Sequence, residues 1–422
     1  MGREILGRMS QSPPHRSSSW KWWICGLLLL ASAINYMDRQ TLANAATRIT
    51  TEFSLKQEQY GNLEFAFGWA FAAGSILFGI LADKFPLRWL YPVVLFLWSA
   101  AGFATGMVKS YEGLLLCRAF LGLFEAGHWP CAVKVTQQLL NPKDRSMGNS
   151  VLQSGTSIGA IITPQIMKAL LTEELSSWRW AFMVVGAVGL LWIVVWFALV
   201  KRGDLVAPAT EPEAGKIDRT GGLFWHLIFS RRMLVVLFVI AMINTGWQIV
   251  RAWLPKFMVE GRGYTENQML NFNSVFYIAT DVGCIGAGIL TLWLCRKQFS
   301  VIGSRKLTFF ICAAFSALTL VVPLLPKGPA LLIILLLVGA GALGVFPIYH
   351  AFTQDISPHH QGKVTGVAGI AAWALGPPLQ KLYGRLIDQT GSFDLGFAIA
   401  GCLPFIAFVG LWLFWKEDKA PA

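Results

Sequence analysis

Four charged residues stand where their neighbours are almost wholly apolar. Asp38 and Arg39 close the run LLLLASAINYMDR, and Arg118 and Glu125 lie within LCRAFLGLFEAG. An ionised side chain in a bilayer costs about 2.5–3.5 kcal/mol or more, so each needs a partner or a water-filled cavity. Arg118, Gly122 and Glu125 fall at i, i+4 and i+7, one face of a helix. The two charges are then about two turns apart, too far for a local pair but placed to flank one cavity. Gly127 and Pro130 follow, where a helix can bend or unwind. An Arg grips a carboxylate with two parallel hydrogen bonds, which a Lys does not reproduce. Asp38 and Glu125 are candidate proton carriers, since burial disfavours the ionised form of an acid. Tyr36, and Gln153 on one face with Ser157, add neutral hydrogen bonding. The set suits an organic anion that carries hydroxyls.

Further along, Asn244, Gln248 and Arg251 recur at i, i+4 and i+7, and Asn273, Tyr277 and Asp281 at i, i+4 and i+8. Both read as cavity-lining stripes, with Arg251 and Asp281 expected to pair on the outer side. Trp373 is a candidate for stacking on a sugar face, and Gly376 with Pro377 and Pro378 permits a break beside it. Tyr349 and His350 close another apolar run, where His350 reads first as a packing or capping group and second as a substrate contact. Glu64, one turn from a helix end, is expected to be solvated or loop-facing, and Lys134 and Lys168 to snorkel toward headgroups.

The elements that must position these residues are membrane helices. Of 422 residues, 55% are hydrophobic and only 14% charged; a soluble domain carries about 25% charged residues. Mean hydropathy is +0.54. A span needs about 20 apolar residues, and twelve runs qualify: 22–45, 60–82, 89–108, 113–136, 147–171, 178–200, 232–258, 270–295, 304–325, 330–353, 364–387 and 394–415. The fold class is therefore an all-α integral membrane protein with twelve transmembrane helices in two pseudo-symmetric halves of six. The division is a tail over 1–21, a first bundle over 22–200, a polar linker over 201–231, a second bundle over 232–415 and a tail over 416–422.

The net charge of +12 would suggest nucleic acid in a soluble protein. Here the basic residues gather in the tails, the linker and alternate connections, which puts both termini in the cytoplasm and leaves no role for nucleic acid. A competing reading takes Ala31-Ser32-Ala33 as a signal-peptide cleavage pattern, which would leave eleven crossings. The seven cysteines fall in or beside apolar runs without metal-ligand spacing, and no nucleotide, zinc or nucleophile motif is present. No cofactor, metal or catalytic residue is expected; this is not an enzyme.

The connection Gly79-Ile-Leu-Ala-Asp83-Lys84-Phe-Pro-Leu-Arg88 resembles the signature of the major facilitator superfamily, G-x-L-a-D-r-x-G-r-r, with Pro86 where that pattern has Gly. Gly79 would allow close approach of a neighbouring helix, and Asp83 and Arg88 would fasten the cytoplasmic side. Three further segments resemble the anion:cation symporter family, and among its members most the bacterial hexuronate and galactonate transporters. They are Asn35 to Arg39, Arg118 to Pro130 and Asn149 to Pro164. The resemblance implies Arg39 and Arg118 at an anionic substrate, Glu125 coupling substrate to a proton, Asp38 as a second proton site, and a monomer in the inner or plasma membrane surrounded by lipid. Phe71 stands where such members often carry Tyr. The function expected is proton-coupled uptake of a hexuronate or related sugar acid. Other organic acids (dicarboxylates, aromatic acids, amino-sugar acids), uncoupled uniport or exchange, and a non-transporting sensor remain as alternatives.

Overall fold

The computed structural model describes residues 18–140, 144–205, 229–354 and 361–415. Residues 1–17 of the first tail, the whole of the last tail, most of the 201–231 linker, and His359 and His360 lie outside the described residues. Among the described residues the regular structure is helical throughout. The first group comprises α1 (Ser18–Glu52), α2 (Gln57–Lys84), α3 (Leu87–Thr105), α4 (Tyr111–Glu125), α5 (His128–Leu139), α6 (Arg145–Leu170) and α7 (Trp178–Leu199). The second comprises α8 (Arg231–Lys256), α9 (Glu266–Arg296), α10 (Val301–Ala317), α11 (Pro329–Gly344), α12 (Phe346–Gln354), α13 (Gln361–Ala374), α14 (Gly376–Thr390) and α15 (Asp394–Phe414).

Three of the apolar runs are each divided between two α-helices. Run 113–136 breaks between Glu125 and His128, run 330–353 at Val345, and run 364–387 at Leu375. Each break precedes a proline in the first turn of the next helix: Pro130, Pro347, and Pro377 with Pro378. A first turn needs no intrahelical N–H, so proline is tolerated there and starts a new helix rather than continuing the old one. In contrast, α1 runs past the predicted limit of 45 to Glu52. Its polar end is held in place: Arg48 forks onto Glu266 at 2.8 and 2.6 Å, and Glu52 accepts from Trp178 and Arg179 at 2.6 Å.

Among the described residues, eight helical stretches are long and apolar enough to cross a membrane: α2, α3, α7, α8 with the turn after it, α9, α10 with the turns after it, α11 with α12, and α15. Their outward faces suit lipid. On α9, Val282, Ile285, Ile289 and Leu292 form one exposed stripe, while Asn273, Tyr277 and Thr280 are buried. Apolar outside and polar inside inverts the pattern of a soluble protein.

Glycines set the closest crossings. A Cβ on Gly155 or Gly159 of α6 would run into the α1 carbonyls of Leu29 and Ala33. One on Gly61 of α2 would lie 2.5 Å from the Gln380 carbonyl of α14. The first and second groups meet where α2 packs on α14, α6 on α9, and α1 on α8.

Candidate functional site

The charges meet where the two groups pack, in two ion-paired sets, Arg39 with Glu125, and Glu64 with both Arg118 and Arg251. Arg39 of α1 donates through Nε to Glu125 Oε2 at 2.8 Å and through Nη2 to Asn35 at 3.1 Å. Arg118 of α4 donates to Glu64 Oε1 of α2 at 3.3 Å, and Arg251 of α8 donates to Glu64 Oε2 at 2.7 Å. All five side chains are nine-tenths or more buried. The ring of Phe67 lies between the arginines, with guanidinium carbons of Arg118 and Arg39 at 4.4 and 5.2 Å from its centre. Arg39 also faces Phe71, Tyr36 and Trp373 at 4.8, 5.6 and 5.9 Å. An aromatic face holds a cation without neutralising it, leaving the guanidinium edge for an anion.

Several buried polar atoms here have no hydrogen-bond partner within the protein: Nε and Nη1 of Arg118, Nη1 of Arg251, Oε1 of Glu125, and both carboxylate oxygens of Asp38. A buried polar atom left unpaired costs about 1–3 kcal/mol, and more when charged. Three spare donor nitrogens on two neighbouring arginines are the chemistry of an anion site. Asp38 sits against α3, where a Cβ on Gly102 would lie 2.8 Å from its Oδ1. An unpaired carboxylate in such a place costs several kcal/mol, a cost that a bound proton removes.

Tyr36, Asp38, Arg39, Arg118, Glu125, Arg251 and Trp373 are thus brought to one region, Trp373 across the interface from α13. The break after Glu125 ends α4 at the carboxylate, and α5 restarts at His128.

Other expectations need correction. Arg251 pairs with Glu64, and Asp281 instead accepts from Ser157 Oγ at 2.8 Å. Arg251 points across to α2, whereas Asp281 points to α6, so the two acids and bases of this interface are matched between groups and not within the second. Glu64 is neither solvated nor loop-facing; it is the hub of the second set. Its signal in the sequence was the same as that of Arg118, a charge inside an apolar run, discounted because it lies near the helix end. Gly79 supports no close crossing, since a Cβ added there meets nothing within 4 Å. Lys134 donates to Asp83 at 2.5 Å and to the Ala82 carbonyl at 2.9 Å, at the end of α2. Lys168 reaches across to Asn271 at 3.2 Å.

Of the rest, Gln248 donates to the Ala372 carbonyl at 3.1 Å, locking α8 to α13. Asn244 donates to the Ile240 carbonyl at 2.9 Å. Gln153 is exposed and its nearest polar neighbour is Thr156 at 3.5 Å. These three do not join the charged sets. Arg88 donates to the Val200 carbonyl at 3.0 Å and covers Trp89 and Phe197, tying α3 to α7. His350 lies with its ring 4.3 Å from that of Tyr349. His128, which no spacing in the sequence marks, is fully buried between Ser32 Oγ at 3.0 Å and Tyr91 Oη at 2.9 Å, a packing role joining α5 to α1 and α3.

Beyond the charged sets, polar contacts between the two groups continue toward one end, here termed the closed end. Tyr60 Oη donates to the Ala252 carbonyl at 2.9 Å. Buried Lys256 reaches Thr50 at 2.8 Å and Glu260 at 2.7 Å. Asp388 of α14 accepts from the backbone N–H groups of Gln57 and Glu58 at 2.9 and 2.8 Å. The N-cap Lys56 offers α2 no side-chain acceptor, so the other group caps this helix. Arg385 pairs with Glu58 at 2.9 Å. At the opposite end the contacts of Asp83, Arg88, Lys134 and Arg231 stay within their own group.

A profile of the major facilitator superfamily matches residues 28–380. The chain belongs to the major facilitator superfamily. It is a multi-pass membrane transporter and not an enzyme. Among its superfamily relatives it is 28% identical to a probable sulfoacetate transporter of Cupriavidus necator, over 90% of each chain. It is 26% identical to a D-galactonate transporter of Escherichia coli, over 91% of this chain and 94% of that one. It is also 26% identical to a hexuronate transporter of Bacillus subtilis, over 90% of this chain and 91% of that one. In fold it is similar to a bacterial homolog of the human lysosomal transporter Spinster, with a TM-score of 0.79 at 16% identity, over 96% of this chain and all of that one. A D-xylose–proton symporter gives a TM-score of 0.73 at 17% identity, over 94% of this chain and 98% of that one.

Proposed function

We propose that this superfamily member is a twelve-span, proton-coupled importer of a hexuronate or related sugar acid, working by alternating access in the inner membrane with both termini cytoplasmic. In this reading residues 22–200 and 232–415 are the two six-span bundles, 201–231 links them in the cytoplasm, the closed end is the outer one, and the carrier is a monomer. The observation that carries it is the buried pairing of Arg39, Arg118 and Arg251 with Glu64 and Glu125, placed where the two groups of helices meet. Sugar-acid names among the relatives support the cargo class.

The geometry gives coupling a concrete form. Glu125 occupies the Nε edge of Arg39. A proton on Glu125 withdraws that claim and frees Arg39 for the substrate carboxylate, so anion and proton are taken up together. Asp38, bonded to nothing, serves as the second proton site. Arg118 supplies its two unpaired donors to the carboxylate, and Tyr36 and Trp373 present a hydroxyl and a flat face to the sugar. Carriers couple only if the form holding both ligands switches more readily than either half-loaded form.

In proteoliposomes, D-glucuronate uptake should be accompanied by H⁺ entry and should collapse when the proton gradient is removed. Glu125→Gln is expected to lose net uptake while keeping exchange of labelled for unlabelled substrate. Uptake indifferent to the gradient would sink symport. A sulfonate-bearing acid is the second cargo to try, because three spare guanidinium donor nitrogens also fit a sulfonate and one relative is a probable sulfoacetate transporter.

A further inference from the structure

Glu64 is the one acid here that holds arginines of both groups at once. Its bond to Arg118 lies within the first group, where α2 and α4 are fixed to each other: Cβ atoms on Gly122 and Gly74 would run into the carbonyls of Phe67 and Leu123. Its bond to Arg251 crosses to the second group and lies one turn from the cross-group bond of Tyr60 to the Ala252 carbonyl. Any motion that parts the two groups at the closed end must break Glu64–Arg251 and can leave Glu64–Arg118 intact. Arg251 would then be a largely buried cation without its carboxylate, and one of its donors is already unpaired. Removing one partner of a buried pair is strongly unfavourable unless another anion takes its place.

We infer that Glu64 is an internal stand-in for the substrate's acid group, holding Arg251 while the closed end is shut and releasing it to the incoming anion when that end opens. This rests on the transport reading for the identity of the anion. Loading and release then differ in affinity without any change in the arginines. From the side that opens, Arg251 is free and draws the anion in. Once that end shuts, Glu64 returns to Arg251 and competes with the anion, which favours its departure on the other side. Glu64 is a positioning and competing residue, not a ligand of the substrate.

The test begins without substrate. The full-length chain, with its seven native cysteines replaced, is placed in lipid nanodiscs where both ends meet water. Ser274→Cys reports the closed end, since Ser274 is buried there against Gln165. Gln153→Cys reports the opposite side, being exposed on the α6 face that carries Ser157. Glu64→Gln should raise maleimide labelling at position 274 by about fivefold or more, and lower it at position 153, within the usual span of conformational coupling. Arg251→Gln should act in the same direction, and the double variant should go no further than either single. Unfolding would raise labelling at both sites. Unchanged labelling, or a rise at both in both single variants, overturns the latch. The competition is then read with D-glucuronate: Glu64→Gln should reduce the ratio of half-saturation from the two faces toward one, and an unaltered ratio overturns that part. If the unmodified chain carries no D-glucuronate, the transport reading fails by itself while the labelling result stands.

Discussion

Two seams join the helix groups, and they use the same residue types to different ends. The central seam is Arg118–Glu64–Arg251, and the rim seam is Glu58 with Arg385 and Lys381, together with Arg48–Glu266. Glu64 and Arg251 are 2% and 4% exposed, whereas Glu58 and Arg385 are 28% and 52% exposed. At the rim, water replaces a lost partner, so the pairs there open and close with little change in free energy. In the centre a lost partner leaves a charge that nothing solvates. The rim therefore suits a gate that must open on every cycle. The centre suits a site in which charge is always matched, by the protein or by its cargo.

The largest effect should come from breaking the centre. Arg118→Gln leaves Glu64 with Arg251 alone and removes the two unpaired donors of Arg118. Loss of one partner of a buried pair is worth about 3–5 kcal/mol, so uptake should fall by about 100-fold or more. Arg118→Lys should recover little of it, because an ammonium cannot fork onto Glu64 and a carboxylate together. Uptake by Arg118→Lys within a few-fold of the unmodified chain would show that the central seam is only a structural tie.

A smaller effect tests which acid belongs to Arg251. A double-mutant cycle between Arg251 and Glu64, read as thermal stability in detergent, should show strong non-additivity. The cycle between Arg251 and Asp281 should be additive to within about 0.3–0.5 kcal/mol, since Asp281 is bonded to Ser157. Coupling to Asp281 as large as that to Glu64 would reassign the seam.

That pairing also marks where the sequence stops being legible. Charges inside apolar runs located Asp38, Arg39, Arg118, Glu125 and Arg251, because the energetic cost of such charges is independent of topology. Their partners depend on which helices touch, and i, i+4 spacing carries no such information. It matched Arg251 with Asp281 within one half, although α8 packs across onto α1 and lies near α2. Glu64 was passed over for its place near a helix end, yet the opposite group buries that end under Tyr60, Lys256 and Asp388. The four runs that do not read as simple spans are equally instructive: α1 and α6 are long enough but not apolar enough, and α4 with α5 and α13 with α14 are broken into short helices. Of these, α1 and α4 carry Asp38, Arg39, Arg118 and Glu125, and the last is broken beside Trp373. Around Asp38, Arg39, Arg118, Glu125 and Trp373 apolarity or continuity is lost, so the readings that find the fold are weak there, whereas Glu64 and Arg251 lie on long apolar helices.

The smallest effect belongs to the rim and concerns pH. The hydrogen bond and charge of Arg385 hold the Glu58 carboxyl below the usual carboxylate range. A depressed pKa means that the pairing contributes fully above the ordinary carboxylate value of about 4.3. It is lost only as pH falls through the lowered one. Rim closure through Glu58 should therefore be indifferent to pH between about 5 and 8, the range in which a proton gradient operates. Glu58→Gln should raise maleimide labelling of Ser274→Cys by less than about twofold, equally at both ends of that range. A pH-dependent difference between Glu58→Gln and the unmodified rim would make this surface pair part of the coupling machinery, and would remove the division of labour between a gate that water can solvate and a centre that only protein, proton or cargo can neutralise.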